Sequence, residues 1–323
     1  MKSIYVVGSI NMDIVNEIQS FPLPGQTVEG LHTQYHPGGK GANQAAAAAA
    51  AMASSSVQIV GAVGNDAYKT ILLQSLQDKG VGIENVSTKE CGSGLAFITV
   101  NSEGENYIVL SPGANKHLSA QDLPAQLWHD AALILLQNEI PWELNQTIIQ
   151  IAEKYGIPVW MNPAPAFAMP SDLFRSIHTL ILNETEAELL TTVPISSEDD
   201  AVQAISQLLL DGIRRVILTM GSKGLLFADE SKQITHLEAY SVQPVDTTAA
   251  GDTFIGALAS TWMNGQTLSE GVKFASAAAA LAVTKLGAQD SIPSRAEIDA
   301  FIRSNPEPVS QILMPSCLSA HKQ

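Results

Sequence analysis

The sequence predicts an α/β fold with a mostly parallel central sheet and a small second sheet. Short β-branched runs alternate with longer segments of helical periodicity. The short runs are almost continuously apolar, as expected of parallel strands that are covered by helices on both faces. Two stretches interrupt this order with a polar and apolar alternation that is typical of strands. Strands inserted in this way are expected to form a sheet of their own.

The predicted strands of the central sheet are four or five residues long, and they lie at 4–7, 57–60, 133–136, 158–161, 179–182, 216–220 and 225–228. Between them the apolar residues recur with helical spacing. The predicted helices lie at 41–53, 66–79, 143–155, 184–191, 198–210, 252–264, 268–284 and 295–302.

The two interrupting stretches predict a lid. Residues 12–35 contain two prolines and no helical pattern, and residues 93–110 form a hairpin pattern around a turn at Ser102-Glu103-Gly104. We expect a β lid, inserted at about 12–38 and 93–111, over the C-terminal edge of the main sheet, where such folds bind ligands. A surface hairpin without function is the alternative. Residues 1–303 are expected to form a single domain, and the tail 304–323 to be partly disordered.

Composition excludes several classes of function. The chain has 323 residues and a net charge of −15, which argues against nucleic acid and anionic membranes as partners. Cys91 and Cys317 are too few and too distant for a disulfide framework or a metal quartet. The N-terminus lacks a signal-peptide pattern, and no apolar stretch reaches roughly 18 residues. These features indicate a cytoplasmic protein.

The run VDTTAAGDTF, from Val245 to Phe254, carries the strongest indication of catalysis. We expect a strand to end before Asp246 and a helix to begin at Asp252. Small residues there let a ligand reach the free N–H groups of the first turn, which favour an anion such as a phosphoryl group. A carboxylate in this place fits if it accepts the proton of an attacking hydroxyl. An ordinary Asp N-cap is the alternative.

The run HPGGKGANQAAAAAA, from His36 to Ala50, places a double glycine before a helix. Glycines allow the backbone to approach a ligand closely. Lys40 and Asn43 are three residues apart, so they share one face of the first turn and can donate to hydroxyls or to charge. The run is not a Walker A loop, because Gly41 follows Lys40 where Ser or Thr is required. A glycine-rich turn with a solvated lysine is the alternative.

Polar residues also follow the first predicted strand, in GSINMD. Asn11 and Asp13 are two apart, so both can point to one side of an extended segment. An amide and a carboxylate together suit a polyol. A turn with Asx hydrogen bonds is the alternative.

Two later segments are less specific. In LNETEAELLT, Asn183 closes a strand, and Glu184 and Glu186 lie in a first helical turn, where the dipole alone favours acidic groups. LTMGSKG is a strand followed by a glycine turn, which either borders a nucleotide or is a plain hairpin. The sequence has no GxSxG, CxxC or HExxH motif, and no GxGxxG follows a strand.

Taken in order, these segments resemble the ribokinase branch of the PfkB-type carbohydrate kinases. Each motif alone is weak, but the ordered set is highly specific, and the resemblance runs from about Ile4 to Phe301. It is carried by GSINMD, FPLPGQTV, GGKGANQA, GAVGND at 61–66, GEN at 104–106, SPGAN at 111–115, NPAPA at 162–166, NETEAELLT, LTMGSKG, VDTTAAGDTF and VTKLGAQDSIP at 283–293.

The resemblance implies a three-layer α/β/α sandwich whose β lid often pairs with that of a second subunit, giving a homodimer. It implies transfer of the ATP γ-phosphoryl group to a primary hydroxyl, which gives D-ribose 5-phosphate if the substrate is ribose. By similarity, Asp252 is the base. The anion hole would be formed by the backbone N–H groups of Ala249, Ala250, Gly251 and Asp252.

The resemblance also implies binding roles. The sugar would be held by Asn11, Asp13, Gly39, Lys40, Asn43, Glu139 and Asp252. The nucleotide would be lined by Asn183, Thr219, Gly221, Ser222, Gly224, Gly251 and Ser276. Glu186 would organise Mg²⁺ through water. A monovalent cation, usually K⁺, would be bound mainly through backbone carbonyls at Asp246, Thr248, Ala282, Lys285, Gly287 and Ser291.

Three functions are compatible with these features. The leading one is phosphorylation of ribose, and the second is phosphorylation of another sugar, such as deoxyribose, on the same fold. The amide of Asn11 suits a substrate with a 2-hydroxyl, whereas deoxyribose-preferring relatives tend to be apolar there. The third is non-catalytic sugar binding, which would be expected to lose Asp252 or Gly251, and both are present.

Overall fold

The computed structural model describes residues 2–52 and 57–313. Within these ranges the central sheet has ten strands, and the seven from β11 to β5 in spatial order are parallel. In that order the strands are β14 (Ser310–Leu313), β13 (Ile234–Leu237), β12 (Leu225–Ala228), β11 (Arg215–Thr219), β10 (Thr179–Asn183), β9 (Val159–Asn162), β8 (Ala131–Gln137), β1 (Ser3–Val7), β4 (Val57–Gly64) and β5 (Gly82–Lys89).

Helices cover both faces of this sheet. In the described ranges they are α1 (Lys40–Ala51), α2 (Tyr68–Asp78), α3 (Leu127–Asp130), α4 (Trp142–Tyr155), α5 (Glu184–Thr191), α6 (Glu198–Leu210), α7 (Ala250–Met263), α8 (Leu268–Ala282) and α9 (Arg295–Ser304). None of them is long and apolar enough to cross a bilayer.

The central strand β1 shows why the layers form. Its side chains alternate in direction. Ile4 and Val6 join the buried core that contains residues of α1, α7 and α8. Tyr5 and Val7 join the core that contains residues of α4, α5 and α6. An apolar strand with two buried faces therefore confirms the predicted three-layer α/β/α sandwich.

A second sheet of four strands confirms the predicted lid strands. Its order is β3 (Gly30–Gly38), β2 (Asn11–Ile18), β6 (Gly94–Val100) and β7 (Asn106–Ser111). The hairpin of β6 and β7 turns at residues 101–105, where Gly104 has a φ of 81°. Every residue of β7 is exposed.

The strands and helices predicted by residue range are all present, but three strands of the central sheet were not predicted. The sequence of β5 is largely polar, and it lies at one edge of the sheet. At the opposite edge lie β13 and β14, which are four residues long and pair antiparallel. Residues 310–313 of the tail thus form a strand, and the partial disorder expected for 304–323 stays a prediction. Ala53 and residues 314–323, including Cys317, lie outside the described residues.

The expected strand before Asp246 is also wrong. The preceding strand, β13, ends at Leu237, and Val245 is 57% exposed. The backbone N–H groups of Val245 and Asp246 both donate to the carbonyl of Val283, just after α8. This segment is therefore held by the end of a helix instead of a neighbouring strand.

Candidate active site

A cleft of about 240 Å³ lies at the C-terminal edge of the parallel strands. Asn183 and Thr219 are the last residues of β10 and β11, and they line the cleft beside the start of α7. The predicted site residues that line it are Lys40, Asn183, Glu186, Thr219, Ala249, Ala250, Gly251 and Asp252. The fold thus brings together residues from four separate sequence motifs.

The start of α7 differs from the prediction by two residues. The helix begins at Ala250, so Asp252 is its third residue and not its N-cap. The N-cap is Ala249, whose φ of 58° is unusual for a residue that is not glycine and costs of order 1 kcal/mol. The alternative interpretation of Asp252 as an ordinary N-cap is therefore wrong.

Free N–H groups line the cleft at this helix start. The N–H of Ala250 donates to the carbonyl of Thr247 at 3.3 Å, and that of Thr253 donates to Ala249 at 2.8 Å. Gly251 and Asp252 lie between these two residues in the chain. An α-helix supplies no backbone acceptor for the N–H groups at these positions. A Cβ added to Gly251 would meet no atom within 4 Å, so open space lies in front of this turn. An anion can therefore approach the backbone here.

Both oxygens of the Asp252 carboxylate accept hydrogen bonds from amide side chains of α1. Asn43 Nδ2 donates to Oδ2 at 3.1 Å, and Gln44 Nε2 donates to Oδ1 at 3.0 Å. Gln44 is fully buried, and its own Oε1 accepts from Gln137 Nε2 at 2.7 Å. The side chain of Asp252 is therefore fixed in place although it lies at the mouth of a cleft.

The role of Gln44 was not predicted from the sequence. It is adjacent to Asn43, and neighbouring helical residues do not normally face the same group. Here Asp252 lies between the two side chains, because α1 and α7 pack against each other. Sequence spacing carries no signal for such a contact between helices.

At the predicted sugar site, Glu139 connects its own loop with the segments that contain Ser9 and Lys40. It follows β8, and its Oε2 accepts from the hydroxyl of Ser9 and from the backbone N–H of Lys40 at 3.2 Å. Asn11 Nδ2 lies 3.4 Å from the same oxygen. A further cavity of about 560 Å³, lined by Asn11 and Glu139, opens between the lid and the β8–α4 loop. Ser9 was not among the predicted residues.

The double glycine brings the backbone close to the polar residues of β2, a contact that was not predicted from the sequence. Gly39 has a φ of 93°, and a Cβ there would lie 2.8 Å from the backbone nitrogen of Asn11. A Cβ at Gly38 would lie 2.0 Å from Asp13 Oδ2. Substitution of either glycine would therefore displace a predicted sugar ligand.

The charges of the site are strongly coupled. Burial, followed by the neighbouring carboxylates of Glu139 and Asp252, raises the pKa of Asp13 to about 7, against the opposing effect of Lys40. Burial disfavours the charge of Lys40, but the surrounding carboxylates outweigh it, and the pKa of Lys40 is raised. One ammonium group therefore balances several carboxylates.

The pKa of Asp13 predicts a stability effect. A folded-state pKa of about 7, above the ordinary value of 3.8 for an aspartate, means that the folded protein keeps a proton that the unfolded chain has released. This stabilisation is present at acidic pH and is lost as the pH rises through about 7. Asp13→Asn should therefore raise the free energy of unfolding at pH 8 by about 2–4 kcal/mol, and by much less at pH 5.

Thermal melts of both proteins at pH 5 and pH 8 would measure this difference. Asp78→Asn, on the exposed surface of α2, is the control for the loss of a carboxylate elsewhere in the protein. Equal melting temperatures of the wild type and Asp13→Asn at pH 8 would contradict the assignment of a costly buried charge.

Asn183 and Glu186 form a capping box at the start of α5. Asn183 Oδ1 accepts from the backbone N–H of Glu186 at 2.9 Å, and Glu186 Oε2 accepts from the backbone N–H of Asn183 at 2.9 Å. Burial, the largest cause, raises the pKa of Glu186. Each carboxylate oxygen keeps a lone pair that can accept from water, so this residue fits a hydrated Mg²⁺ ion held through water.

The predicted glycine turn is a hairpin between β11 and β12. Gly224 has a φ of 93°, and a Cβ there would lie 2.1 Å from the carbonyl oxygen of Leu237, so packing alone requires glycine. Thr219 lines the cleft and the turn follows it. In the described chain the lining of the cleft does not include Gly221, Ser222, Gly224 or Ser276, and Ser276 is half-buried on α8.

Asp246 connects the two segments of the predicted cation site. Its Oδ1 accepts from the N–H of Thr248 at 2.8 Å, and its Oδ2 accepts from the N–H of Gly287 at 2.9 Å. Ala282 ends α8, while Lys285 and Ser291 lie on the loop that follows it. Among residues 2–52 and 57–313, no three His, Cys, Asp or Glu side chains cluster as metal ligands. Cation binding here would depend on backbone carbonyls.

Comparison with known proteins agrees with this geometry. The model of the pfkB family of carbohydrate kinases matches residues 1–295. The chain belongs to the pfkB family of carbohydrate kinases. Within that family it is similar to the ribokinase of Haemophilus influenzae, with 39% identity over 305 residues that cover 93% of this chain and 98% of the relative.

Two further proteins are similar to this chain over nearly its whole length. The structure of Arabidopsis thaliana ribokinase complexed with ribose and ATP matches with a TM-score of 0.85 and 34% identity, covering 93% of this chain and 99% of that one. The deoxyribokinase of Salmonella typhi is 35% identical over 312 residues, covering 94% of this chain and 99% of the relative. The chain is therefore a sugar kinase with a ribokinase-like fold.

Proposed function

We propose that this protein transfers the γ-phosphoryl group of ATP to the 5-hydroxyl of D-ribose, with Asp252 as the general base. The observation that carries the proposal is the position of Asp252. Its carboxylate is fixed by Asn43 and Gln44 from the sugar side, and its backbone N–H belongs to the free helix start in the cleft. One residue can thus accept the proton of a sugar hydroxyl beside the group that receives charge.

The sugar would occupy the space between the lid and the main sheet. Asn11, Asp13 and Glu139 offer an amide and two carboxylates, which together can bond several hydroxyls of one pentose. Gly39 lets this segment approach, and Asn43 and Lys40 lie at the end towards the cleft. The primary hydroxyl would then lie next to Asp252.

The triphosphate of ATP would lie in the cleft, with its γ-phosphoryl group at the N–H groups of Ala249, Ala250, Gly251 and Asp252. Lys40 lines the same cleft and supplies positive charge. Asn183, Thr219 and the turn with Gly221, Ser222 and Gly224 would border the nucleotide, together with Ser276. Glu186 would hold the waters of a Mg²⁺ ion, which neutralises phosphate charge when bound.

An assay of ADP release over pentoses, hexoses and nucleosides tests the proposal directly. We expect D-ribose to give the highest kcat/KM and 2-deoxyribose a lower one, because Asn11 offers a hydrogen bond that only the 2-hydroxyl can use. Product analysis should show the phosphate on carbon 5. Absence of ADP release with every sugar would support the binding-protein alternative, and a preference for 2-deoxyribose would support the deoxyribokinase alternative.

We infer a potassium-activated enzyme from the link that Asp246 makes between the anion-hole turn and the loop after α8. Carbonyl groups at Asp246, Thr248, Ala282, Lys285, Gly287 and Ser291 would bind the ion. The same assay should run faster in KCl than in choline chloride at equal ionic strength. Equal rates in the two salts would contradict this part of the proposal.

We propose that residues 1–303 act as one unit and that the lids of two copies pair in a cytoplasmic homodimer. Tyr107, Ile108 and Val109 on the edge strand β7 are 64%, 54% and 65% exposed. An exposed apolar edge strand readily pairs with another chain. The wild type should therefore show the mass of a dimer by light scattering.

Val109→Lys should convert the protein to a monomer, because it places a charge in the middle of the proposed contact. The matched control is Leu210→Lys on α6, which replaces an apolar side chain that is 70% exposed and distant from the lid in sequence and fold. A monomeric wild type, or a dimeric Val109→Lys, would refute pairing through β7.

A further inference from the structure

We infer that Asn115 is a positioning residue that sets the direction of the Asn11 amide and thereby makes the site select a sugar with a 2-hydroxyl. This inference rests on the proposed function, because it concerns the same sugar site. Asn115 lies in the turn of 3₁₀-helix Gly113–His117, directly after β7 of the lid. It is 1% exposed, and its side chain points at the start of β2.

Hydrogen bonds to the backbone determine which end of the Asn115 amide is the oxygen and which is the nitrogen. The backbone N–H of Ile10 donates to Asn115 Oδ1 at 3.0 Å, and a backbone N–H can only donate. The other end of the amide must therefore be Nδ2, which donates to the carbonyl of Ile10 at 3.2 Å. One side chain thus bonds both the N–H and the carbonyl of a single backbone residue.

This fixed amide determines how Asn11 is turned. Asn115 Nδ2 lies 2.7 Å from the amide of Asn11, and since it donates, the atom that faces it must be Asn11 Oδ1. Asn11 Nδ2 then faces the opposite way, 3.4 Å from Glu139 Oε2. The site therefore presents a donor from Asn11 and an acceptor from Glu139, side by side.

The lid provides the space in which the side chains of Asn11 and Asn115 meet. Gly94 of β6 is the register partner of Asn11, and a Cβ there would lie 2.2 Å from both Asn11 Oδ1 and Asn115 Nδ2. Any larger residue at position 94 would force the two amides apart. The absence of a side chain at Gly94 is thus a condition for the hydrogen bond between them.

A donor beside a carboxylate matches a hydroxyl, which accepts with its oxygen and donates with its hydrogen. Ribose can satisfy both groups with its 2-hydroxyl. 2-Deoxyribose can make neither of these two hydrogen bonds, so its complex would lack a contact that the ribose complex has. With Asn11 turned around, its Oδ1 would face Glu139, and this preference would be lost.

The test compares kcat/KM for ribose and 2-deoxyribose at pH 8 in Asn115→Asp. The new carboxylate would accept from Asn11 Nδ2 and turn the amide around, so we expect the ribose to 2-deoxyribose ratio to fall about tenfold, the effect of roughly one hydrogen bond. The loss should appear in the KM for ribose and not in kcat. Asn115→Leu and Gly94→Ala remove the fixed contact in other ways and should lower the same ratio.

Controls separate positioning from general damage. Asn145→Asp alters another buried asparagine, which donates to the carbonyl of Gln137 at 2.8 Å, and should leave the ratio unchanged. In an Asn11→Leu background, Asn115→Asp should cause no further fall in the ratio, because both changes affect one hydrogen bond.

If all three variants keep the wild-type ratio, or lose activity equally with both sugars, the inference is overturned while the proposed function stands. If the wild type does not phosphorylate ribose, the proposed function fails, and calorimetric binding of the two pentoses to the same variants tests the inference instead. A wild type that binds neither pentose overturns both.

Discussion

Asp252→Asn should lower kcat by about 10³-fold, within the 10²–10⁴-fold contribution that is usual for a general base. The amide cannot accept the proton of the attacking hydroxyl. It would also place an NH₂ group against Asn43 or Gln44, which both donate to this position in the wild type. Sugar affinity should stay within a few-fold of the wild type, because the other polar residues of the sugar site are unchanged. Steady-state kinetics and calorimetric titration with ribose measure the two effects.

Asp200→Asn provides the matched control. Asp200 is the third residue of α6, as Asp252 is of α7, and its carboxylate lies on the surface in a capping box with Ser197. Loss of that carboxylate should affect stability slightly and turnover not at all. If Asp252→Asn keeps more than about a tenth of the wild-type kcat, Asp252 is not the base.

Gly251→Ala should lower kcat/KM by about 10²-fold and yet stabilise the protein. The added methyl meets no protein atom within 4 Å, so it would project into the space in front of the free N–H groups. A displaced phosphoryl group would lose hydrogen bonds that are formed as charge develops, and each such bond contributes about 10²–10³-fold. Alanine in a helix is more stable than glycine by about 0.5–1 kcal/mol. Activity and melting temperature should thus change in opposite directions.

Gly92→Ala is the control for Gly251→Ala. Gly92 is exposed and has no positive φ, and its added Cβ would lie 3.7 Å from Asp66 Oδ2, an ordinary contact. It does not line the cleft, and activity should be retained. Full activity of Gly251→Ala would show that the phosphoryl group does not approach this turn.

The core of the fold could be predicted because its signals are local. Runs such as IYVV in β1 are short and apolar at every position, which is typical of a strand with two covered faces. The edge strands could not be predicted in this way. The sequence of β5, GIENVSTK, follows no buried pattern, and β13 is a four-residue strand whose partner β14 comes more than 70 residues later. Such pairings depend on tertiary contacts.

The site was predictable where its residues end strands or begin helices. Asn183, Thr219 and Asp252 all lie at such junctions, and in a parallel sheet these junctions meet at one edge. The roles of Gln44 and Asn115 could not be predicted. Each residue bonds to a partner that is separated from it in the chain by at least three helices or strands, so sequence spacing gives no sign of the contact. The positive φ of Ala249 could not be predicted either, because alanine rarely adopts a left-handed conformation.

The short strand β14 determines which strand lies at one border of the central sheet. It covers the open side of β13, and Glu238 and Val309 extend the pairing by a further hydrogen bond of 3.0 Å. The pfkB family match ends at residue 295, so this cover lies beyond it. An uncovered strand edge is a template for aggregation. Within the described residues β14 is itself the border of the central sheet on this side, so another chain could pair with β13 only if residues 310–313 were displaced.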